Sequence, residues 1–142
     1  MDYTFNTKTV INEDFILKKD DTLTVMGESE LIIGETVRVT FNANGTIIIL
    51  GKLVLLNCDF NNECASFQNF GVLSIEKTSR FFNGEESKIM IDNKGVISVQ
   101  DVALLDCSFG KIQNDGVFSL INRDNYCGLY PSGNGIINVL KG

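Results

Sequence analysis

Gly71-Val72-Leu73-Ser74-Ile75 is followed by Gly95-Val96-Ile97-Ser98-Val99 and then by Gly116-Val117-Phe118-Ser119-Leu120. Looser copies are Gly45-Thr46-Ile47-Ile48-Ile49 and Gly135-Ile136-Ile137-Asn138-Val139, and Asp21-Thr22-Leu23-Thr24-Val25 fits without the glycine. An asparagine stands at or near the entry to most copies: Asn44, Asn69, Asn93, Asn114 and Asn134. The phrases start at 21, 45, 71, 95, 116 and 135, in steps of 24, 26, 24, 21 and 19. A period in the twenties marks a stacked architecture, in which one repeat cannot bury its apolar face alone.

Each phrase alternates apolar and small polar residues, the pattern of a strand with one buried face. A second apolar stretch follows in most repeats, as in Leu53-Val54-Leu55-Leu56, Ile89-Met90-Ile91 and Val102-Ala103-Leu104-Leu105. Turn residues such as Asn83-Gly84 and Ser132-Gly133 stand between them. Two architectures compete: a parallel β-solenoid with rungs about 4.8 Å apart, and an antiparallel β-sandwich with a strand every 8–12 residues or so. The repeated phrase favours the solenoid, because stacking makes like positions neighbours and lets asparagines form amide ladders. The reading is a right-handed parallel β-helix of about six coils in one domain, residues 1–142. Residues 21–140 carry the repeats, and 1–20 form an irregular first coil or an N-terminal cover.

The chain has 142 residues, is 44% hydrophobic and 21% charged, and contains a lone proline, Pro131. Its net charge of −6 argues against nucleic acid, because phosphate binding needs clustered Lys and Arg. The longest apolar runs are far too short to span a bilayer, and Met1-Asp2-Tyr3 opens no signal peptide. The expectation is a chain without membrane insertion, cytoplasmic or virion-associated rather than secreted.

The Asn-x-Gly-Val-x-Ser phrases resemble those of right-handed parallel β-helix repeat proteins. So do Thr22-Leu23-Thr24-Val25, Glu30-Leu31-Ile32-Ile33 and Val37-Arg38-Val39. Such text recurs in adhesin passengers and viral fibre proteins. Among short β-helices without a signal peptide it is similar to bactofilins, which polymerise end to end as cytoskeletal filaments, although Val25-x-Gly27 and Ile49-x-Gly51 are only fragments of a bactofilin-type repeat. The resemblance spans about residues 20–140 and implies a structural role.

No reaction is written in the sequence. With no histidine, Ser-His and Cys-His mechanisms are excluded. The acidic doublets Glu13-Asp14, Asp20-Asp21 and Glu85-Glu86 flank turns and read as solvated edges rather than acid–base pairs. Asn122-Arg123-Asp124-Asn125 lacks the spacing of a calcium loop, and Gly128 to Gly135 lacks the Lys-Ser or Lys-Thr ending of a phosphate loop. Tyr126 and Tyr130 read as the covered edge of a core, with sugar stacking as the alternative. We therefore expect a non-enzymatic protein without cofactor or metal.

Cys58, Cys64, Cys107 and Cys127 have no C-x-x-C spacing and read as buried free thiols, with one or two disulfides as the alternative. Leu55 to Phe60 echoes Leu104 to Phe109, two coils away. That puts Cys58 about 10 Å from Cys107, beyond the reach of a disulfide, about 7 Å between Cα atoms. Cys107 and Cys127 fall in adjacent coils.

Aligning the phrases puts Leu23, Ile47, Leu73, Ile97, Phe118 and Ile137 in one inward column, with Val25, Ile49, Ile75, Val99, Leu120 and Val139 in the next. The outward columns are then Thr22, Thr46, Val72, Val96, Val117, Ile136 and Thr24, Ile48, Ser74, Ser98, Ser119, Asn138. An uncharged, half-apolar strip of this length is unusual on a surface facing only water. Ten of its residues form the candidate lateral interface: Thr22, Thr24, Thr46, Ile48, Val72, Ser74, Val96, Ser98, Val117 and Ser119. Cover by a loop or by residues 1–20 is one alternative, and ice binding by a threonine ladder is another. The final phrase, Ile136, Ile137, Asn138, Val139 and Leu140, followed by Lys141-Gly142, is the candidate end-to-end interface, because an unprotected strand edge invites strand addition. The expected function is a self-associating subunit of a filament, fibre or shell, with itself as the main partner and another structural protein as a second. The alternatives are an adhesion or binding module of an extracellular or virion assembly, and a carbohydrate-active or ice-binding β-helix.

Overall fold

The computed structural model describes residues 1–84 and 89–140. The doublet Glu85-Glu86 and the pair Lys141-Gly142 lie outside the described residues. The strands are three to five residues long and pair in parallel throughout. Parallel pairing rules out the antiparallel sandwich.

Three sheets result. The first stacks Asp2–Phe5, Thr22–Val25, Thr46–Ile49, Ser66–Asn69, Met90–Asn93 and Lys111–Asn114. The second stacks Thr9–Ile11, Glu30–Ile33, Lys52–Leu55, Val72–Ile75, Val96–Val99, Val117–Leu120 and Ile136–Val139. The third stacks Phe15–Leu17, Val39–Ala43, Cys58–Asn62, Arg80–Asn83, Leu104–Cys107 and Tyr126–Gly128. The chain visits the three in turn, which makes a β-solenoid of about six coils. Residues 1–20 contribute one strand to each sheet. Among the described residues the single helical piece is a 3-10 turn at Arg123–Asn125, and no helix is long and apolar enough to cross a membrane.

The alternation seen in the sequence sets which side chains point inward. Leu23, Val25, Ile47, Ile49, Leu73, Ile75, Ile97, Val99, Phe118 and Leu120 are all buried. Each such side chain contributes about 1.5–3 kcal/mol of burial free energy. The third sheet adds an aromatic column. Phe15, Phe41, Phe60 and Phe81 lie on successive rungs with ring centroids 5.0, 4.8 and 4.8 Å apart and planes within 19° of parallel. Phe67 of the first sheet meets Phe60 and Phe81 edge-on at 6.3 and 5.9 Å. Such pairs add about 0.5–1.5 kcal/mol each beyond area burial.

The glycine phrase does not mark one column. Thr22–Val25 and Thr46–Ile49 belong to the first sheet, whereas the copies after Gly71, Gly95, Gly116 and Gly135 belong to the second. The strand above Ile47 holds Phe67, not Leu73, and the one below Leu73 holds Leu53. The expected inward column therefore divides into Leu23–Ile47–Phe67–Ile91–Ile112 and Leu53–Leu73–Ile97–Phe118–Ile137. Parallel pairing requires inward residues over inward residues, and this register keeps that parity without repeating the phrase. The cysteine echo is out of register too. Leu104 lies level with Arg80 and Asp59, so Cys58 and Cys107 occupy different columns.

The recurring glycines have a steric cause. At the corner between the first and second sheets, two successive N–H groups donate to one carbonyl: Leu50 and Gly51 to Val25, Phe70 and Gly71 to Ile49, Lys94 and Gly95 to Asn69. This presses each corner onto the one beneath. A Cβ on Gly71 would stand 1.9 Å from the Gly51 carbonyl oxygen, and one on Gly95 would stand 2.1 Å from that of Gly71.

Candidate functional site: outward faces and exposed edges

The ten residues of the expected lateral strip are not brought together. Thr22, Thr24, Thr46 and Ile48 lie on the outer face of the first sheet, and Val72, Ser74, Val96, Ser98, Val117 and Ser119 lie on that of the second. The first-sheet face continues through Ser66, Met90 and Lys111 in one column and Gln68, Asp92 and Gln113 in the other. The second-sheet face begins with Glu30 and Lys52 below Val72, and with Val10, Ile32 and Val54 below Ser74. Charge therefore enters both faces, at Asp92 and Lys111 on one and at Glu30 and Lys52 on the other.

Two of the second-sheet serines, Ser74 and Ser98, are engaged already. Ser74 Oγ donates to Glu76 Oε2 at 2.7 Å, and Gln100 Nε2 donates to Ser98 Oγ at 3.0 Å and Ser74 Oγ at 3.3 Å. Ser74, although outward, is buried. The apolar part of this face consists of Val10, Ile32 and Val54, of which the last two are buried, and of the half-buried ladder Val72, Val96 and Val117, rising to the exposed Ile136. Beside it, at the corner, Met26, Leu50 and Phe70 form an exposed ridge that ends under the Lys94 ammonium, 5.7 Å from the Phe70 ring.

The upper edge differs from the body of the stack. Ile137 and Val139 occupy the inward columns above Phe118 and Leu120, yet they are 40% and 39% exposed, whereas Phe118 and Leu120 are fully buried. Ile136–Val139 pairs on one side only and is the edge strand of the seven-stranded sheet. At the opposite edge Tyr3, Phe5, Ile11 and Phe15 line a hollow of about 560 Å³ rimmed by Asn12, Glu13 and Asp14. Both edges thus present the apolar interior of the coil.

Several of the remaining sequence candidates make contacts within the coil. Asp21 accepts the Lys18 N–H at 2.9 Å and the Met1 ammonium at 3.0 Å. The ammonium hydrogen bond is the largest cause holding its carboxyl below the usual range. Asp14 accepts the Thr40 N–H at 2.8 Å. Asn122 caps the Arg123–Asn125 turn. Tyr126 meets Phe118 edge-on and stacks on Tyr130. Among the described residues no group of three His, Cys, Asp or Glu side chains is placed to hold a metal ion.

All four cysteines are free, and Cys58, Cys64 and Cys107 are buried. Burial pushes each of these three thiols up to about 12. Cys127 departs from the buried reading: it lies level with Asp106 on an outward position and is exposed, while Cys107 lies level with Gly128. Neighbouring coils place these two sulfurs on opposite sides of the sheet.

Sequence reading missed two amide pairs of the third sheet, one inward and one outward, and a groove. Asn62 Nδ2 donates to Asn83 Oδ1 at 2.8 Å inside the third sheet. On that sheet's outer face Asn42, Asn61, Phe82 and Asp106 stand on successive rungs beside Ser108 and Phe109, around a cavity of about 670 Å³. The available signal was the alternation Phe41-Asn42 and Phe60-Asn61, in which the buried phenylalanine fixes its neighbour outward. No protein-family model, curated protein or solved structure matches the chain.

Proposed function

We propose that the protein is a structural, self-associating β-solenoid subunit whose copies join edge to edge. The observation that carries this reading is the exposure of Ile137 and Val139 in columns that are fully buried one rung below. Covering the remaining exposed two fifths of each of these side chains is worth about 1 kcal/mol each, and the edge strand offers an unpaired row of N–H and C=O groups to a further parallel strand. A second copy supplies that strand from its Thr9–Ile11 edge, and seats Ile137 and Val139 against its Tyr3–Phe5–Ile11–Phe15 hollow. Upper edge against lower edge is a heterologous contact, which propagates into a filament unless the rotation closes a ring. The Val72–Val96–Val117 ladder and the Met26–Leu50–Phe70 ridge provide a lateral contact between such filaments.

Sedimentation velocity and negative-stain microscopy of the purified chain over a concentration series test this reading. Particles that lengthen with concentration are the expected result. Ile137→Lys, whose side chain is already solvent-accessible, is expected to leave the circular dichroism spectrum unchanged and to abolish the particles. A chain that stays monomeric at every concentration, or particles that persist in Ile137→Lys, would refute edge-to-edge assembly.

A further inference from the structure

We propose that the outer face of the third sheet carries a binding groove for a neutral saccharide, held across several rungs. The groove lies on the flank of the stack, so it stays open whether or not copies join at the edges. Its floor is the column Asn42, Asn61, Phe82 and Asp106, four successive rungs that span three inter-strand steps, about 14 Å. Its wall is Phe109, 62% exposed on the turn after Cys107. The cavity volume of about 670 Å³ lies within the range of ligand sites, about 300–1,000 Å³.

The polar atoms along the floor are fixed in place and partly unspent. Asn61 Nδ2 donates to Asn42 Oδ1 at 2.8 Å. That bond orients both amides and leaves the Asn42 amide nitrogen as a donor and the Asn61 amide oxygen as an acceptor. Asp106 Oδ1 accepts from the Ser108 N–H at 2.9 Å and from Ser108 Oγ at 2.6 Å, which fixes the carboxylate through one oxygen and spends neither bond on the other. Two amides and a carboxylate along one line offer both donors and acceptors to hydroxyl groups, which both give and accept hydrogen bonds. The Phe82 and Phe109 rings supply apolar surface for the C–H face of a sugar ring.

Other ligand classes fit less well. Among the described residues lining the groove none is Lys or Arg, while Glu63 and Asp106 are acidic, so a phosphate, sulfate or uronate would be repelled. A peptide adding as a strand needs a sheet edge, and this groove is on a face. No reaction is assigned.

The test uses the full 142-residue chain and an array of immobilised neutral hexasaccharides (β-1,4-glucan, β-1,4-mannan, β-1,4-xylan and α-1,4-glucan), with polygalacturonate as the acidic control. Binding to any neutral probe is followed by titration calorimetry. The expected result is binding of at least one neutral hexasaccharide but not of polygalacturonate, weakened at least tenfold by Phe109→Ala and by Asn61→Ala. Circular dichroism and sedimentation of both variants are expected to match the unmodified chain, since Phe109 is exposed and Asn61 faces outward. Absence of binding to all four neutral probes at millimolar concentration would overturn the proposal. So would preference for polygalacturonate, or undiminished binding by both variants.

Discussion

The corner between the first and second sheets is built in two ways along the same stack. In the lower coils its inward position is occupied by Phe5, Val25 and Ile49, and in the upper coils by Asn69, Asn93 and Asn114. The three amides are laced together. Asn69 Nδ2 donates to Asn93 Oδ1 at 2.8 Å and to the Val96 carbonyl at 2.9 Å. Asn93 repeats the pattern onto Asn114 and the Val117 carbonyl at 2.8 and 3.0 Å. Where the two constructions meet, Asn69 Oδ1 is buried without a partner, because Ile49 below it has no donor. The tight glycine corner is present already at Gly51, above Val25 and beside Ile49. Tight corners and amide lacing are therefore separable: close backbone approach dictates the glycine, and a neighbouring amide is needed for the asparagine.

The harshest perturbation ignores the difference between the halves. Leu73→Asp places a carboxylate in a fully buried column without a partner, and we expect no folded state by circular dichroism. Ser98→Lys with Val96→Glu, on the outer face of the same sheet, is expected to keep the native spectrum. Equal behaviour of the two would mean that inside and outside have been exchanged.

Gly71→Ala comes next. Its Cβ meets backbone at 1.9 Å, so the rung must shift, at a cost of about 3 kcal/mol. Urea unfolding followed by circular dichroism is the measurement, since the chain has no tryptophan. Asn93→Ala removes the middle of the lacing, leaving Asn69 and Asn114 each short of a partner, and is expected to cost about 2 kcal/mol. A value near zero would show that the amides fill space and nothing more.

The boundary between the halves can be moved. Ile49→Asn gives Asn69 Oδ1 a donor, whereas Val25→Asn buries an amide with apolar residues above and below. We expect the first to be less destabilising than the second by about 1 kcal/mol. The smallest effect belongs to Gly27→Ala, in the wide lower turn where no heavy atom lies within 4 Å of the added carbon. Its backbone is outside the left-handed region, and a gain of up to about 1 kcal/mol is expected from the stiffer unfolded chain. A cost like that of Gly71→Ala would erase the distinction between the two kinds of corner.

The alternation of Leu23, Thr24 and Val25, or of Leu73, Ser74 and Ile75, was enough to place every inward side chain of those strands. The columns were not legible. Thr46–Ile49 and Val72–Ile75 read alike because each follows a glycine corner, yet they follow different corners. Nothing local to either strand records which sheet it joins. That depends on how many residues the intervening turns consume. The phenylalanine column was hidden because Phe15, Phe41, Phe60 and Phe81 sit in strands that follow turns of different lengths and share no phrase common to all four. The groove beneath Phe109 was hidden for the same reason, being assembled from residues that share a column and no motif.

The amino-acid sequence by itself determined which residues of the repeated strands face an apolar interior, and favoured a stack of parallel coils over a sandwich, because a period in the twenties brings like positions together. Tertiary structure alone decided which residues lie over one another, and with that the amide lacing, the aromatic column and the composition of each outer face. The physical reason is that strand pairing enforces only the parity of neighbouring residues, inward over inward, while their identity is set by turn lengths that act across the whole coil.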